Sequence, residues 1–282
     1  MAVNIDLKII KLIVFDLDGT LLNDENEIGE ETQVLVKKLK NKGVKFSFAT
    51  GRLHSAITEF AEILNITSPL ISLDGAMLKR HPDGKIYNSN YIPTTQVKKI
   101  MGLAERNVAK LALCHADAVY YSEYDVVIPQ VLDKYGAKFH EVNDYRDYEE
   151  ETLEMVVTSD YKQAVQAVEK AISFPRFLGL KTNFYKTRTS GKYYFLEVRR
   201  WGASKGTGLN RLRKILKVKK SETAAIGDWY NDRELLKRAG VKVALQNAVP
   251  EIKRIADIVT ERDHIEDGTA EFLETVLKAK GG

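Results

Sequence analysis

The sequence predicts an α/β fold built on a parallel sheet and interrupted by an inserted α+β segment. Three observations predict it. Strand and helix patterns alternate over the first third of the chain. They resume over the last third, and between them a hairpin signal and a mixed element order break the rhythm.

The first third opens with Ile9–Phe15, a nearly continuous apolar run expected of a strand covered on both faces. Glu30–Lys42 sets Val34, Leu35 and Leu39 on one helical side and stops at Gly43. Val44–Ala49 reads as a second strand. His54–Asn65 reads as a second helix, with Ile57, Phe60, Ala61 and Leu64 at helical spacing, and Pro69–Leu73 as a third strand. This order implies parallel strands joined by right-handed crossovers. In the middle, His81-Pro-Asp-Gly84 is a turn signal between Met77–Lys79 and Lys85–Tyr87, so a hairpin is expected. Helices over Thr95–Arg106 and Tyr161–Ser173, and strands near Leu111, Val119, Met155 and Tyr194, complete the insert. The last third reads as a helix (Ser204–Leu216), a strand (Thr223–Ile226), a helix ended by Gly240 (Asp232–Ala239) and a strand (Val241–Leu245). A helix (Pro250–Ala256), a short strand (Ile258–Thr260) and a helix (Glu266–Ala279) follow. The expected division is a core over 1–82 and 190–282 and an inserted segment over 83–189. The acidic stretch Asp144–Glu151 is expected as a solvated surface segment, and the tail Lys278–Gly282 is expected to fray.

Composition narrows the function classes. The 282 residues are 44% hydrophobic and 29% charged, ordinary values for a globular chain with a core. Lys and Arg total 43 against 39 Asp and Glu, a net charge of +4, and no dense Lys/Arg stripe stands out, so nucleic acid is not expected as a partner. The lone Cys114 sits in an apolar stretch and reads as a small buried hydrophobe. No signal peptide and no apolar run long enough to span a bilayer is visible, so a cytoplasmic protein without membrane contact is expected. Nothing in the sequence sets an oligomeric state.

Four segments carry chemistry, and three of them follow a predicted core strand, where open parallel sheets bind ligands. The first is Asp16-Leu-Asp-Gly-Thr20. Carboxylates two residues apart in extended chain project to one side, and Gly19 permits a sharp turn. One carboxylate can attack phosphorus, and the other can protonate a leaving oxygen and then activate water. Their closeness raises one of the two pKa values. The same residues fit equally a polar loop whose Asp and Thr cap the turn. The second is Phe48-Ala-Thr50-Gly51-Arg52, where Thr50 can donate to a phosphoryl oxygen and Gly51 lets backbone N–H groups approach, though Thr also serves as an ordinary helix cap. The third is Lys205, in Gly202-Ala-Ser-Lys-Gly-Thr-Gly208. A lysine is unfavourable near the positive end of a helix dipole, which suggests an anionic partner, though a solvated surface lysine fits the same position. The fourth is Gly227-Asp228-Trp-Tyr-Asn231-Asp232, which gathers oxygen-bearing side chains suited to magnesium, without the His/Cys cluster zinc prefers.

Together, in this order, the four segments resemble the motif set of the haloacid dehalogenase-like hydrolase superfamily. The long interval between Thr50 and Lys205 resembles its Cof-type branch, as do Ala256-Asp-Ile-Val-Thr260 and Glu266-Asp-Gly268. The resemblance covers nearly the whole chain. It implies a Rossmann-like three-layer core with a parallel sheet, an inserted α+β cap, and magnesium-dependent phosphatase chemistry on a small phosphorylated metabolite, a sugar phosphate or a phosphorylated cofactor. It assigns Asp16 as nucleophile, Asp18 as general acid and then base, and Thr50 and Lys205 as holders of the transferring oxygens, with Gly51 and Asn231 beside the phosphate. It assigns Mg2+ to a carboxylate oxygen of Asp16, the backbone carbonyl of Asp18, and Asp228, with Asn231 and Asp232 in support. An Asp at position 18 favours prompt hydrolysis. A sugar phosphomutase of the same superfamily is the enzymatic alternative, and a non-catalytic binding protein on the same fold is the other. The cap is expected to close over the core and line the pocket. Its Tyr120, Tyr121 and Tyr124 could contact substrate, but most such residues are expected in the cap's interior. Three departures are visible. Asp74 stands where many members carry Asn, Asp263 where Asn is common, and Trp229-Tyr230 is a bulkier pair than many members carry.

Overall fold

Apolar residues alternate sides along β1 (Leu12–Phe15). Ile13 and Phe15 join one core cluster, and Leu12 and Val14 join another. That alternation makes three layers, with a sheet between two sets of helices. The protein is described by a computed structural model over residues 6–125, 128–132, 137–173, 179–186 and 193–281. It divides into two compact units. One comprises Met1–Gly51, Ile57–Tyr87 and Ser204–Gly282, and the other Arg52–Ala56 and Asn88–Ala203. The border expected at 83 falls in the turn before Ile86, and the one expected at 189 lies outside the described residues.

In the first unit β1 is followed by α1 (Glu30–Asn41), β2 (Lys45–Phe48), α2 (Thr58–Ile63), β3 (Leu70–Ser72), β4 (Met77–Lys79) and β5 (Ile86–Ser89). The strand expected from Ile9 begins only at Leu12, because Asp6 caps a 3-10 turn over Leu7–Ile9. The third expected strand differs more. β3 leaves the parallel sheet after a single bridge, Ala49 to Ile71, and pairs antiparallel with β4. Leu73, Asp74 and Gly75 all take positive φ, which turns the chain back on itself. The expected hairpin follows, with β3, β4 and β5 in one small sheet.

The second unit holds α3 (Thr94–Arg106), β6 (Lys110–Cys114), β7 (Ala118–Ser122), α4 (Ile128–Val131), β8 (Lys138–Val142), β9 (Glu154–Ser159), α5 (Lys162–Ser173), β10 (Leu180–Lys186) and β11 (Tyr194–Arg200). Its sheet runs β10-β11-β9-β6-β7-β8. One face packs Leu113, Met155, Val157 and Leu196 against Val97 and Ile100 of α3 and Val165 and Val168 of α5, the α+β arrangement the sequence suggests. β8 and β10 were not anticipated. They are half-exposed strands rich in charged and polar residues. The acidic stretch is only partly solvated. Glu149 is buried, and the Tyr145 hydroxyl donates to the Leu111 carbonyl at 2.5 Å. Tyr124 is 79% exposed rather than interior, while Tyr120 stacks on Tyr148. Cys114 is buried as expected.

The chain re-enters the first unit at α6 (Lys205–Leu216), then β12 (Thr223–Gly227), α7 (Arg233–Arg238), β13 (Val241–Ala244), α8 (Pro250–Ile255), β14 (Ile258–Val259) and α9 (Gly268–Ala279). The five-stranded sheet β14-β13-β12-β1-β2 is parallel throughout. Residues of α1, α2 and α9 pack on one face, and residues of α6, α7 and α8 on the other. The tail is held rather than frayed, since Lys280 Nζ donates to the Lys8 carbonyl at 2.7 Å and Lys42 Nζ to the Gly281 carbonyl at 2.8 Å. Gly282 lies outside the described residues. Among those residues no helix is long and apolar enough to cross a membrane.

Candidate active site

Strand register brings the motifs to one sheet edge. Phe15 pairs with Phe48 on one side and with Ile226 on the other, so Asp16, Thr50 and Asp228 follow at the carboxyl ends of three adjacent strands. Two glycines make this approach close. Gly19 sits at φ +74°, where a Cβ would lie 2.8 Å from Asp228 Oδ2, and a Cβ on Gly227 would lie 2.6 Å from Asp232 Cγ. Larger residues at either place would force the carboxylates apart.

Lys205 opens α6, whose N-cap Ser204 accepts from the Thr207 N–H. Its side chain is buried, and Nζ donates to Asp16 Oδ1 at 2.6 Å and to Asp232 Oδ1 at 2.7 Å. This is the anionic partnership its place at a helix start demands. Asp232 Oδ2 accepts from the backbone N–H groups of Asp228 and Trp229 at 3.1 and 3.0 Å, so both oxygens of that carboxylate are engaged. Asp228 Oδ1 accepts from the Thr20 hydroxyl at 2.7 Å. One carboxylate oxygen each from Asp16, Asp228 and Asp232 lie within 4.8 Å of one another.

The electrostatics report a surplus of negative charge. Burial pushes the Asp16 carboxyl well above the usual range, Asp232 and Asp228 push it further, and Lys205 pulls it back. Burial likewise raises Asp228, to about 6, against the hydrogen bond from Thr20. Burial opposes the charge of Lys205, but Asp16, Asp232 and Asp74 outweigh it and hold its pKa above the ordinary lysine value. Between the paired carboxylates of the first motif, the one shown raised is therefore Asp16, to which the charge of Asp18 contributes. All the donors are hard oxygens and the local charge is negative, so Asp16 and Asp228 fit a divalent cation such as magnesium. Asp232 is committed to Lys205 and to the loop.

The remaining expected residues are placed less centrally. Asp18 is exposed at the edge. Thr50 is buried, its N–H donating to the Ile71 carbonyl and its carbonyl accepting from the Asp74 N–H. Gly51 lies against the Asp74 carboxylate, where a Cβ would stand 3.7 Å from Oδ1. Asn231 Nδ2 donates to that same Asp74 oxygen at 3.2 Å, so the carboxylate at position 74 is hydrogen-bonded but keeps its charge. Asp263 Oδ1 accepts from the N–H groups of Ile265 and Glu266, holding the loop before α9. Trp229 and Tyr230 are exposed and meet edge to face.

One residue the motifs do not contain belongs with them. Asn247, beyond the end of β13, donates from Nδ2 to the Gly19 carbonyl at 2.8 Å and accepts at Oδ1 from the His264 N–H at 3.3 Å. Nearby, the Val249 N–H donates to the Asp228 carbonyl at 3.0 Å. The loop after β13 thus holds the backbone of the first and fourth motifs. Its signal was the strand-end position that exposed the other three.

Comparison with known proteins follows the same lines. Residues 13–273 match the family model described as haloacid dehalogenase-like hydrolase. The chain is similar to phosphatase YwpJ of Bacillus subtilis, at 29% identity over 95% of this chain and 100% of that one. It is also similar to the 5-amino-6-(5-phospho-D-ribitylamino)uracil phosphatase YitU of the same organism, at 28% identity over 93% and 96%. A solved haloacid dehalogenase-like hydrolase from Bacteroides thetaiotaomicron superposes with a TM-score of 0.82 at 26% identity, covering 95% of this chain and 99% of that one.

Proposed function

Because the chain belongs to the haloacid dehalogenase-like hydrolases and is a phosphoric monoester hydrolase of their Cof-type branch, we propose that it is a magnesium-dependent phosphatase of small phosphorylated metabolites acting through an aspartyl-phosphate on Asp16. The observation that carries this reading is the buried contact of Lys205 with Asp16, at 2.6 Å, beside the carboxylates of Asp228 and Asp232.

In the first half-reaction an Asp16 carboxylate oxygen attacks phosphorus, and the bond from phosphorus to the ester oxygen breaks. Asp18 gives its proton to that departing oxygen. In the second, Asp18 takes a proton from water, the water oxygen attacks phosphorus, and the Asp16 acyl-phosphate bond breaks to release phosphate. Attack requires Asp16 ionised, which Lys205 favours against the cost of burial. Thr50, Gly51 and Asn231 are read as holding phosphate oxygens with Lys205. Bound through Asp16, the Asp18 carbonyl and Asp228, Mg2+ would neutralise charge on the transferring group. Residues 83–189 are read as the cap of the family, and a cytoplasmic setting is part of the same reading. The relative named for a phosphorylated ribitylaminouracil supports a small metabolite as substrate, within the wider class of sugar phosphates and phosphorylated cofactors.

The decisive experiment assays p-nitrophenyl phosphate with Mg2+. Asp16→Asn is expected to lose at least about four powers of ten in turnover, about 5 kcal/mol of transition-state stabilisation. Equal rates from both proteins would sink the reading.

A further inference from the structure

The near-even overall charge hides one concentration that the sequence reading passed over. Arg211–Lys220 holds six cations in ten residues, among them Arg213, Lys214, Lys217 and Lys219. The fold bends these last four, with Asn210 and with Arg238 from the end of α7, around one cavity of about 560 Å³. Five positive charges thus line a space within the usual range for a small-ligand site, with no carboxylate among the lining residues. None of the five makes an ion pair with a carboxylate among the described residues, although many other cations of the chain do.

Two simpler explanations fall short. Cations near helix C-termini can serve the last carbonyls. Here the carbonyls of Arg213 and Lys214 already accept from the backbone N–H groups of Val218 and Lys217. Free solvation suits exposed lysines but not Arg213, whose Nη2 donates to Asn210 Oδ1 at 2.5 Å while its Nε is buried with no hydrogen-bond partner among the described residues. Burial, and then the charge of Arg238, push the Arg213 pKa down. Lys217 takes the left-handed conformation at the end of α6, at φ 55°, where glycine is the usual occupant. A lysine stands there against that preference.

We propose that this groove is a binding site for a multiply charged small phosphate anion, of the di- or triphosphate class, separate from the Asp16 site. The separation follows from α6, which carries Lys205 at its first residue and the groove residues Asn210 to Lys217 about 8 to 18 Å further along the axis. Convergence on one cavity, rather than a stripe along the surface, fits a compact polyanion better than an extended polymer. Guanidinium groups suit phosphate oxygens by paired N–H donation, and the lysines add charge.

Calorimetric titration of the full chain with sodium tripolyphosphate, in chelator and without divalent cation, reads the site independently of catalysis. One-to-one binding is expected. Arg238→Gln and Lys217→Gly should each weaken it about tenfold, as expected for loss of a charge-assisted contact, while Arg238→Lys retains most of the affinity. Lys217→Gly also relieves the left-handed backbone, so its melting temperature should not fall, which separates lost binding from lost folding. Hydrolysis of p-nitrophenyl phosphate by Arg238→Gln should equal wild type. No binding by the wild-type chain, unchanged affinity in both neutral variants, or tighter binding of an RNA oligomer than of tripolyphosphate at equal ionic strength would each overturn the proposal.

Discussion

Each of the two units buries a mixed-charge cluster, and the two clusters are built to opposite ends. In the second unit Arg199 stands directly across from Glu154 on neighbouring strands and donates to it at 2.5 Å. Arg199 also reaches Glu197 at 3.3 Å, and Glu197 accepts from Tyr185 at 2.7 Å and from Asn183 at 3.2 Å. Those partners lie on three antiparallel strands, β10, β11 and β9, with one guanidinium shared by two carboxylates. In the first unit a single lysine faces Asp16, Asp228 and Asp232, and two of these carboxyls are pushed above their ordinary range. Burial of charge is therefore no guide to chemistry by itself. A satisfied network specifies packing, whereas uncompensated charge at a strand end marks a site awaiting a charged ligand.

The sharpest test of that contrast removes the cation from each cluster. Lys205→Met should lower kcat/KM about a thousandfold, about 4 kcal/mol, if its charge acts in the transition state. Arg199→Met should instead cost about 3–5 kcal/mol of stability by removing the one guanidinium that two buried carboxylates share, with little loss of turnover per folded molecule. Urea unfolding and p-nitrophenyl phosphate kinetics on the same preparations separate the two. Comparable loss of turnover in both variants would erase the distinction.

A smaller effect is expected at Asn247, which touches the first motif only through the Gly19 carbonyl. Asn247→Ala should raise the Mg2+ concentration for half-maximal activity about tenfold, in the range seen for residues that orient metal ligands. Saturating Mg2+ should largely restore kcat. A fall in kcat and melting temperature with an unchanged Mg2+ requirement would reduce Asn247 to a packing role.

Much of this was legible in the sequence because open parallel sheets collect their ligands at strand ends. Asp16, Thr50 and Asp228 could be placed at one edge from apolar runs alone, and Lys205 from its unfavourable helix start. The reversal of the chain after β3, into the antiparallel β4, was not legible. It depends on Leu73 and Asp74 adopting positive φ, which neither residue type announces. Asn247 follows a strand end but was missed because a lone Asn there forms no motif, and its partner is a backbone carbonyl 228 residues away. The basic groove was missed because Arg238 comes from a separate helix and the whole chain nets only +4. β8 and β10 escaped because half-exposed strands break the apolar alternation on which a strand assignment rests.

The surplus charge in the first unit also sets a pH dependence. Burial pushes the Asp228 carboxyl up from its ordinary 3.8 to about 6 in the folded protein. Asp16 is shifted the same way, by burial and then by Asp232. A raised carboxyl binds more protons folded than unfolded, so in the metal-free protein it costs stability as pH rises from about 4 through 6. Metal binding requires the ionised form and releases that proton. With one such group, the ionised fraction is about nine-tenths at pH 7 and about one-tenth at pH 5, so Mg2+ affinity should be about tenfold weaker at pH 5. Calorimetric titration with MgCl2 at both pH values reads this directly, and the rise in melting temperature on adding Mg2+ should be larger at pH 7. Affinity that stays flat across this interval would mean that Asp228 is already ionised in the folded chain, and the first unit's charge would then be as well compensated as the second's.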